Sequence, residues 1–172
     1  RFPYYAVSIG LEQGETIVAG AVYDPTRDEM FSAAAGGGAT LNGQPIRVSE
    51  VERLPQALCV ASLPPRVTRD HPSVLKFLDV LETAQSVQRT GSAALNLCSV
   101  ACGRIEAFWS NSLHAWDTAA GTLIVREAGG KVTTGRGEAY SVHQPDILAS
   151  NGRQLHAQLT EIFRGSADHR VC

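Results

Sequence analysis

A chain of 172 residues with 44% hydrophobic and 19% charged side chains is long enough to bury a core, covering roughly 70% of the surface its unfolded form exposes. No run approaches the ~20 consecutive apolar residues of a membrane span. Its 15 Lys plus Arg against 17 Asp plus Glu give a net charge of -2 with no block of like charge, which argues against a nucleic-acid partner.

In chain order, YYAVSIGL alternates with period two and reads as a strand, EQGE as a turn, TIVAGAVYD as a second strand and DPTRDE as another turn. EMFSAAA makes a third strand broken by GGG, and LNGQ is a hairpin-type turn before PIRVS. Residues 1–48 therefore read as an antiparallel meander. From Ser49 the periods lengthen. HPSVLKFLDVLETAQS places Val74, Phe77, Leu78 and Leu81 on one helical face, with Asp70 or His71 near its start. GSAALNLCSVACG is a second helix, with Ser92 at its N-cap or first turn and Gly103 past its end. RIEAFW is a short strand, DTAAGTLIVREAGG a helix stopped by Gly129 and Gly130, and KVTT another strand. DILAS then enters a last helix, NGRQLHAQLTEIF, capped by Ser150 or Asn151, and RGSADHRVC has no apolar period and reads as a loose tail. Strands alternating with helices over 49–163 predict a layered sheet flanked by helices, continuous with the meander.

Few residues stand out chemically. Cys59, Cys98, Cys102 and Cys172 are too scattered for a disulfide framework and lack paired zinc-ligand spacing, so a reducing cytoplasm is expected; no charged-then-apolar leader opens the chain. Cys98 and Cys102, four apart, read as two buried small residues. Asp117 begins a helix, where an acid satisfies free backbone N–H groups. Ala119, Ala120 and Gly121 allow that helix to pack closely while Trp116 walls off water, so a carboxylate oxygen is also available to a hard cation such as Mg²⁺. The stretch TGSAAL brings a glycine to a helix start, whose free N–H groups favour phosphate or hydroxyl oxygen. Ser8, His114 and Asp117 have the residue types of a nucleophile triad, but no nucleophile-elbow sequence accompanies them, and Gly36 to Gly38 lack the Lys and Ser/Thr of a phosphate loop.

Four stretches in order, RFPYYAVSIGL, GAVYDPTRDEMFSAAAGGGATLNGQPIRVS, RTGSAALNLCSVACGRIEAFW and AWDTAAGTLIVREAGG, resemble the inositol monophosphatase family of Mg²⁺-dependent, lithium-sensitive sugar-phosphate phosphatases. The resemblance covers nearly all of residues 1–163, and its most specific element is the string from Trp116 to Gly130. It implies an α/β fold of α+β type, a layered α-β-α-β-α sandwich. It also implies hydrolysis of a phosphate monoester by metal ions that generate a water-derived nucleophile and stabilise the leaving alkoxide. By resemblance Asp117 ligates the second metal, and Gly91, Ser92 and Ala93 contact the substrate's hydroxyl side. Ser110 stands where many members carry a Glu that binds ring hydroxyls, which leaves histidinol phosphate, fructose bisphosphate and a phosphoadenosine nucleotide open beside inositol phosphate.

The family's other metal ligands come from a Glu-containing segment and an Asp-Pro-x-Asp-Gly-Thr loop, both expected upstream of Arg1; Asp24-Pro25 is followed by Thr26 and does not match. The expectation is a single phosphatase-fold fragment over 1–163 with its N-terminal part missing, inactive alone, a homodimer when complete, and with apolar sheet surface left bare. The other reading is a non-catalytic remnant that binds a sugar phosphate or a protein partner.

Overall fold

The alternating N-terminal runs form β1 (Val7–Gln13), β2 (Thr16–Asp24), β3 (Glu29–Ala34), β4 (Ala39–Leu41) and β5 (Gln44–Pro45) in the computed structural model, which describes residues 2–168. They pair antiparallel in sequence order. Turn chemistry fixes the register. Asn42 and Gly43 both have positive φ, 49° and 77°, the mirror-image turn that two-residue hairpins prefer because its twist matches that of the strands. In the DPTRDE turn, Asp24 Oδ1 accepts from the Thr26 amide (2.8 Å) and hydroxyl (2.7 Å), and Oδ2 accepts from Arg27 Nη1 (2.7 Å). Both oxygens of this buried carboxylate serve the turn.

The glycine turn between β3 and β4 has a different partner. The Gly36 and Gly38 amides donate to the two oxygens of Glu127, each at 2.8 Å. The glycines thus cradle an anion, and the anion is the protein's own side chain. Glu127→Ala is expected to cost about 1 kcal/mol, because two charge-assisted bonds are lost while water reaches the freed amides. Urea unfolding of the two proteins checks it.

The second half runs through a short 3₁₀ turn (Leu54–Gln56) into β6 (Leu58–Ala61), α1 (Pro72–Leu81), β7 (Ser86–Gln88), α2 (Ala93–Ala101), β8 (Ala107–Ser110), α3 (Ala115–Glu127), β9 (Lys131–Thr133), β10 (Ile147–Ser150) and α4 (Gln154–Asp168). The second sheet has the order β7-β6-β8-β10-β9, with β6 parallel to β7 and β8, and β10 antiparallel to β8 and β9. A main core that includes Val22, Phe31, Leu97, Phe108, Ile124 and Ile147 fills the space between the two sheets, where α2 and α3 lie. A second core, with Val80, Trp109, Leu155 and Phe163, fills the far side of the second sheet under α1 and α4. The layers run β-α-β-α, four of the five expected.

Several expectations need correction. Strands β6 and β7 were not anticipated. Leu58–Ala61 is buried or half-buried throughout, so it reads as a short apolar run without alternation, as strands covered on both faces do. Helix α1 begins as expected, with His71 as N-cap accepting from the Ser73 amide (3.2 Å), but its inward face is Ser73, Phe77 and Val80; Leu78 and Leu81 are exposed. Ser150 belongs to β10, not to a cap, and α4 starts at Gln154. That helix continues to Asp168, through the first five positions of the segment expected as a loose tail, because Ser166 binds back to Asp79 and to the Ile162 carbonyl; residues 169–172, with Cys172, lie outside the described residues.

His156 on α4 locks the last layer to the sheet. Thr133 Oγ1 donates to the Thr134 carbonyl (2.6 Å), so it accepts from His156 Nε2–H (2.9 Å). Nδ1 then accepts from Ser150 Oγ (2.7 Å), which itself accepts from the Gly152 amide (3.1 Å). The ring is therefore neutral. Burial, helped by the charge of Lys131, lowers its pKa from 6.5 to about 4. A lowered folded-state pKa means the contribution is complete above pH 6.5 and is lost as pH falls from there towards 4. A shift of that size is worth about 3 kcal/mol, and solvent at the mouth of the adjoining pocket reduces it to roughly 2. His156→Gln should remove this part of the acid sensitivity, as read from urea midpoints at pH 7 and pH 4.5.

Among the described residues the outer face of the first sheet is most exposed at its edge. Val7, Ile9 and Leu11 are 58%, 66% and 59% exposed along β1, the edge strand, with Tyr5 beside them. Among the described residues no helix is long and apolar enough to cross a membrane.

Candidate active site

Helix α3 is set in place by the smallest residues in its surroundings. Gly10 on β1 and Gly20 on β2 are register partners facing it. A Cβ at Gly10 would lie 2.7 Å from Ala119 Cβ, and one at Gly20 would lie 2.8 Å from Ala120 Cα. On the other side a Cβ at Gly121 would lie 2.6 Å from Leu97 Cβ of α2. The helix thus touches a sheet and a neighbouring helix at backbone distance.

This packing brings the N-terminus of α3 beside that of α2. Asp117 is not the cap residue itself: it is the third residue of α3. Its Oδ2 accepts from the backbone amide of the N-cap, His114 (3.0 Å), while its own amide donates to the His114 carbonyl (3.0 Å). Oδ1 has no hydrogen-bond partner among the described residues. Asp117 therefore combines a helix-end role with one free carboxylate oxygen. Trp116 is 71% exposed, with the His114 ring stacked on it at 4.5 Å, so it forms an open rim and does not wall off water as expected.

Across from Asp117 stand Gly91, Ser92, Ala93 and Ala94, and together they line one cleft of about 390 Å³ with Tyr4, Tyr5, Ala6, Ser8 and Trp116. Gly91 has φ +133°, a region L side chains rarely adopt, and it leaves its surroundings open. Ser92 is the N-cap of α2, its hydroxyl accepting from the Leu95 amide at 3.4 Å. Free amides at the start of α2 face an oxygen ligand favourably. Asn96, fully buried on α2, ties the walls: its Oδ1 accepts from Tyr4 Oη (3.1 Å) and Thr90 Oγ1 (2.6 Å). Burial raises the Tyr4 phenol above its usual 10 against the opposing pull of hydrogen bonds, so it remains a proton donor at neutral pH.

The structure thus gathers Asp117 with Gly91, Ser92 and Ala93 and leaves Ser110 out. Ser110 ends β8, is 1% exposed, and its hydroxyl accepts from the Ser112 amide (3.4 Å); it lines a separate cavity with Trp109 and Asn111. Ser110 is not among the residues that line the cleft with Asp117. Tyr4, Tyr5, Ala6 and Ser8 were missed as cleft residues, since nothing but strand alternation marks them. Ser8 and Asp117 share the cleft while the His114 ring faces Trp116, so the triad types do not assemble. Cys98 sits fully buried and Cys102 half-buried, and burial pushes both thiols up, that of Cys98 well up. Among the described residues no group of three or more His, Cys, Asp or Glu side chains is arranged to hold a metal ion. Asp117 fits as one oxygen ligand, and one carboxylate oxygen is not by itself a site for an ion that needs several in fixed geometry.

Two sheets separated by a helical layer, with a carboxylate and a helix start meeting at the layer's edge, define a layered α+β protein with its cleft at that edge. The sequence profile of the inositol monophosphatase family matches residues 1–167, and the chain belongs to that family. It is 40% identical to an inositol-1-monophosphatase of Synechocystis over 161 residues, 93% of this chain and 56% of that protein. Among solved structures, the inositol monophosphatase of Anabaena (Nostoc) superposes with a TM-score of 0.88 at 38% identity, over 95% of this chain and 65% of that one. SaIMPase-II with inositol monophosphate bound superposes with a TM-score of 0.84 at 29% identity, over 95% of this chain and 63% of that one. The chain therefore spans less than two thirds of the length of these relatives.

Proposed function

We propose that the chain carries the substrate-facing wall of a Mg²⁺-dependent phosphatase that hydrolyses the monoester of a small polyol or sugar. The observation that carries this reading is the meeting of Asp117, with one carboxylate oxygen free, and the Gly91–Ala93 segment in a single cleft. Asp117 Oδ1 is the ligand this chain offers to Mg²⁺; the others come from outside the described residues. When bound, the ion stabilises developing negative charge and lowers the pKa of a coordinated water. Gly91 lets the chain turn without a side chain in the way, and the first amides of α2 meet oxygens on the substrate's hydroxyl side. Tyr4 and Trp116 supply apolar faces against the carbon skeleton.

SaIMPase-II is seen with inositol monophosphate and with 2'AMP bound, which supports a small phosphate monoester as substrate, a polyol phosphate among them. Histidinol phosphate, fructose bisphosphate and a phosphoadenosine nucleotide are the competitors within the same chemistry. Phosphate release from this panel by the protein at the family's full length, with and without Mg²⁺, tests the reading. Mg²⁺-dependent turnover of a polyol or sugar phosphate is expected there, and none from the 172-residue chain. Binding without turnover at saturating Mg²⁺ would instead support the non-catalytic reading.

A further inference from the structure

The second sheet changes its direction of growth between β6 and β8. The chain leaves β6 for α1 and β7 on one side, and leaves β8 for α3 and the β9–β10 pair on the other. In α/β sheets such a point opens a crevice beyond the carboxyl ends of the strands. Here α1 and α4 close it into a cavity of about 10 Å³, space for one water-sized guest. Three of its lining residues each carry a buried polar atom without a partner among the described residues: Trp109 (Nε1), Ser73 (Oγ) and Asn111 (Oδ1). Ser73 and Trp109 are each 4% exposed, so neither is served by bulk solvent. A buried polar atom left unpaired costs about 1–3 kcal/mol, and three around one cavity call for a common partner.

We propose that this cavity is a binding site for a single internal water, which links Trp109 Nε1–H, Ser73 Oγ and Asn111 Oδ1 and so pins the connection from β8 to α3. The donor and acceptor types select the guest. Trp109 Nε1 only donates, so a cation such as ammonium is refused; Asn111 Oδ1 only accepts, so a halide is refused. Water accepts from the indole and donates to the amide oxygen, and the Ser73 hydroxyl completes either role. The charges on the wall do not override this choice: the Lys76 ammonium lies over the Phe163 ring, 5.2 Å from its centroid, and the Asp146 carboxylate accepts from the Gly135 amide at 3.0 Å. One positive and one negative group leave the cavity near neutrality.

The consequence lies six residues beyond Asn111, at Asp117. Ser110 to His114 is the connection that presents Asp117, and the water ties its first turn to α1 on the opposite side of the sheet. Only this consequence rests on the proposed function; occupancy of the cavity does not. The test is water–protein cross-relaxation by NMR on the 172-residue protein, which has two tryptophans, with Trp116 71% exposed and therefore readily told apart by fast exchange. A cross-peak between a long-lived water and the slowly exchanging Trp109 indole proton is expected, unchanged when chloride is replaced by bromide. Asn111→Leu should abolish it and speed amide exchange at Ser112 and His114 about tenfold, the loss of one buried partner. No cross-peak in the unsubstituted protein, an indole resonance that shifts and saturates with halide, or unchanged exchange in the variant would each overturn the proposal.

Discussion

Under the proposed function, Asp117→Asn is expected to lower kcat/KM of the protein at the family's full length by at least about 10³ while leaving the unfolding free energy within about 0.5 kcal/mol of the parent. The asymmetry follows from how the carboxylate divides its work. Oδ2 accepts the His114 amide hydrogen, and an Asn side-chain oxygen can accept the same bond at the same place. What Asn cannot supply is negative charge on the second oxygen, the one free to meet Mg²⁺. Turnover and its Mg²⁺ dependence, measured beside urea unfolding, separate the two roles. Normal turnover in the Asn variant would remove Asp117 from the metal site.

The largest expected effect on folding comes from a residue remote from any chemistry. Gly20→Ala should destabilise the protein by about 3 kcal/mol, seen as a lower urea midpoint at unchanged slope. The new methyl would lie 2.8 Å from Ala120 Cα and 3.0 Å from Ala120 O, and both are backbone atoms that no rotamer change can move. Either β2 or α3 must shift. A shift of α3 carries Asp117 with it, so activity should fall in the same variant even where it remains folded.

The first sheet was readable because each of its signals is local. Alternation in TIVAGAVYD, the Asn42-Gly43 pair and the Asp24-Pro25 turn all act within a few residues of themselves. Asp117 and the Gly91–Ala93 segment were legible because helix starts carry composition, a glycine or acid beside small residues. Strands β6 and β7 were not legible: three or four residues buried on both faces leave no period to read. The inward face of α1 was misread for the same reason, since with β6 and β7 unseen the sheet it covers was unknown. The burial of Ser110 beside Trp109 was not legible, because position along the chain does not say whether the last residue of a strand ends in solvent or in the interior. That Tyr4 and Ser8 share a wall with Ser92 is a property of the assembled layers. No short window contains it.

Helix α3 is held by carboxylates near both ends and by contact at backbone distance along its middle. Asp117 reaches back to its own N-cap, and Glu127 grips the glycine turn of the first sheet. An element fixed in this way opens only when much of the surrounding structure opens with it, so its amides should exchange at rates close to those of global unfolding. On that expectation the cleft is anchored to an element that opens only with the fold as a whole. Fidelity of the site and integrity of the fold become one inheritance: a lineage of such proteins could vary Ser8 or Tyr5 at the rim far more freely than Gly10, Gly20 or Gly121 behind it.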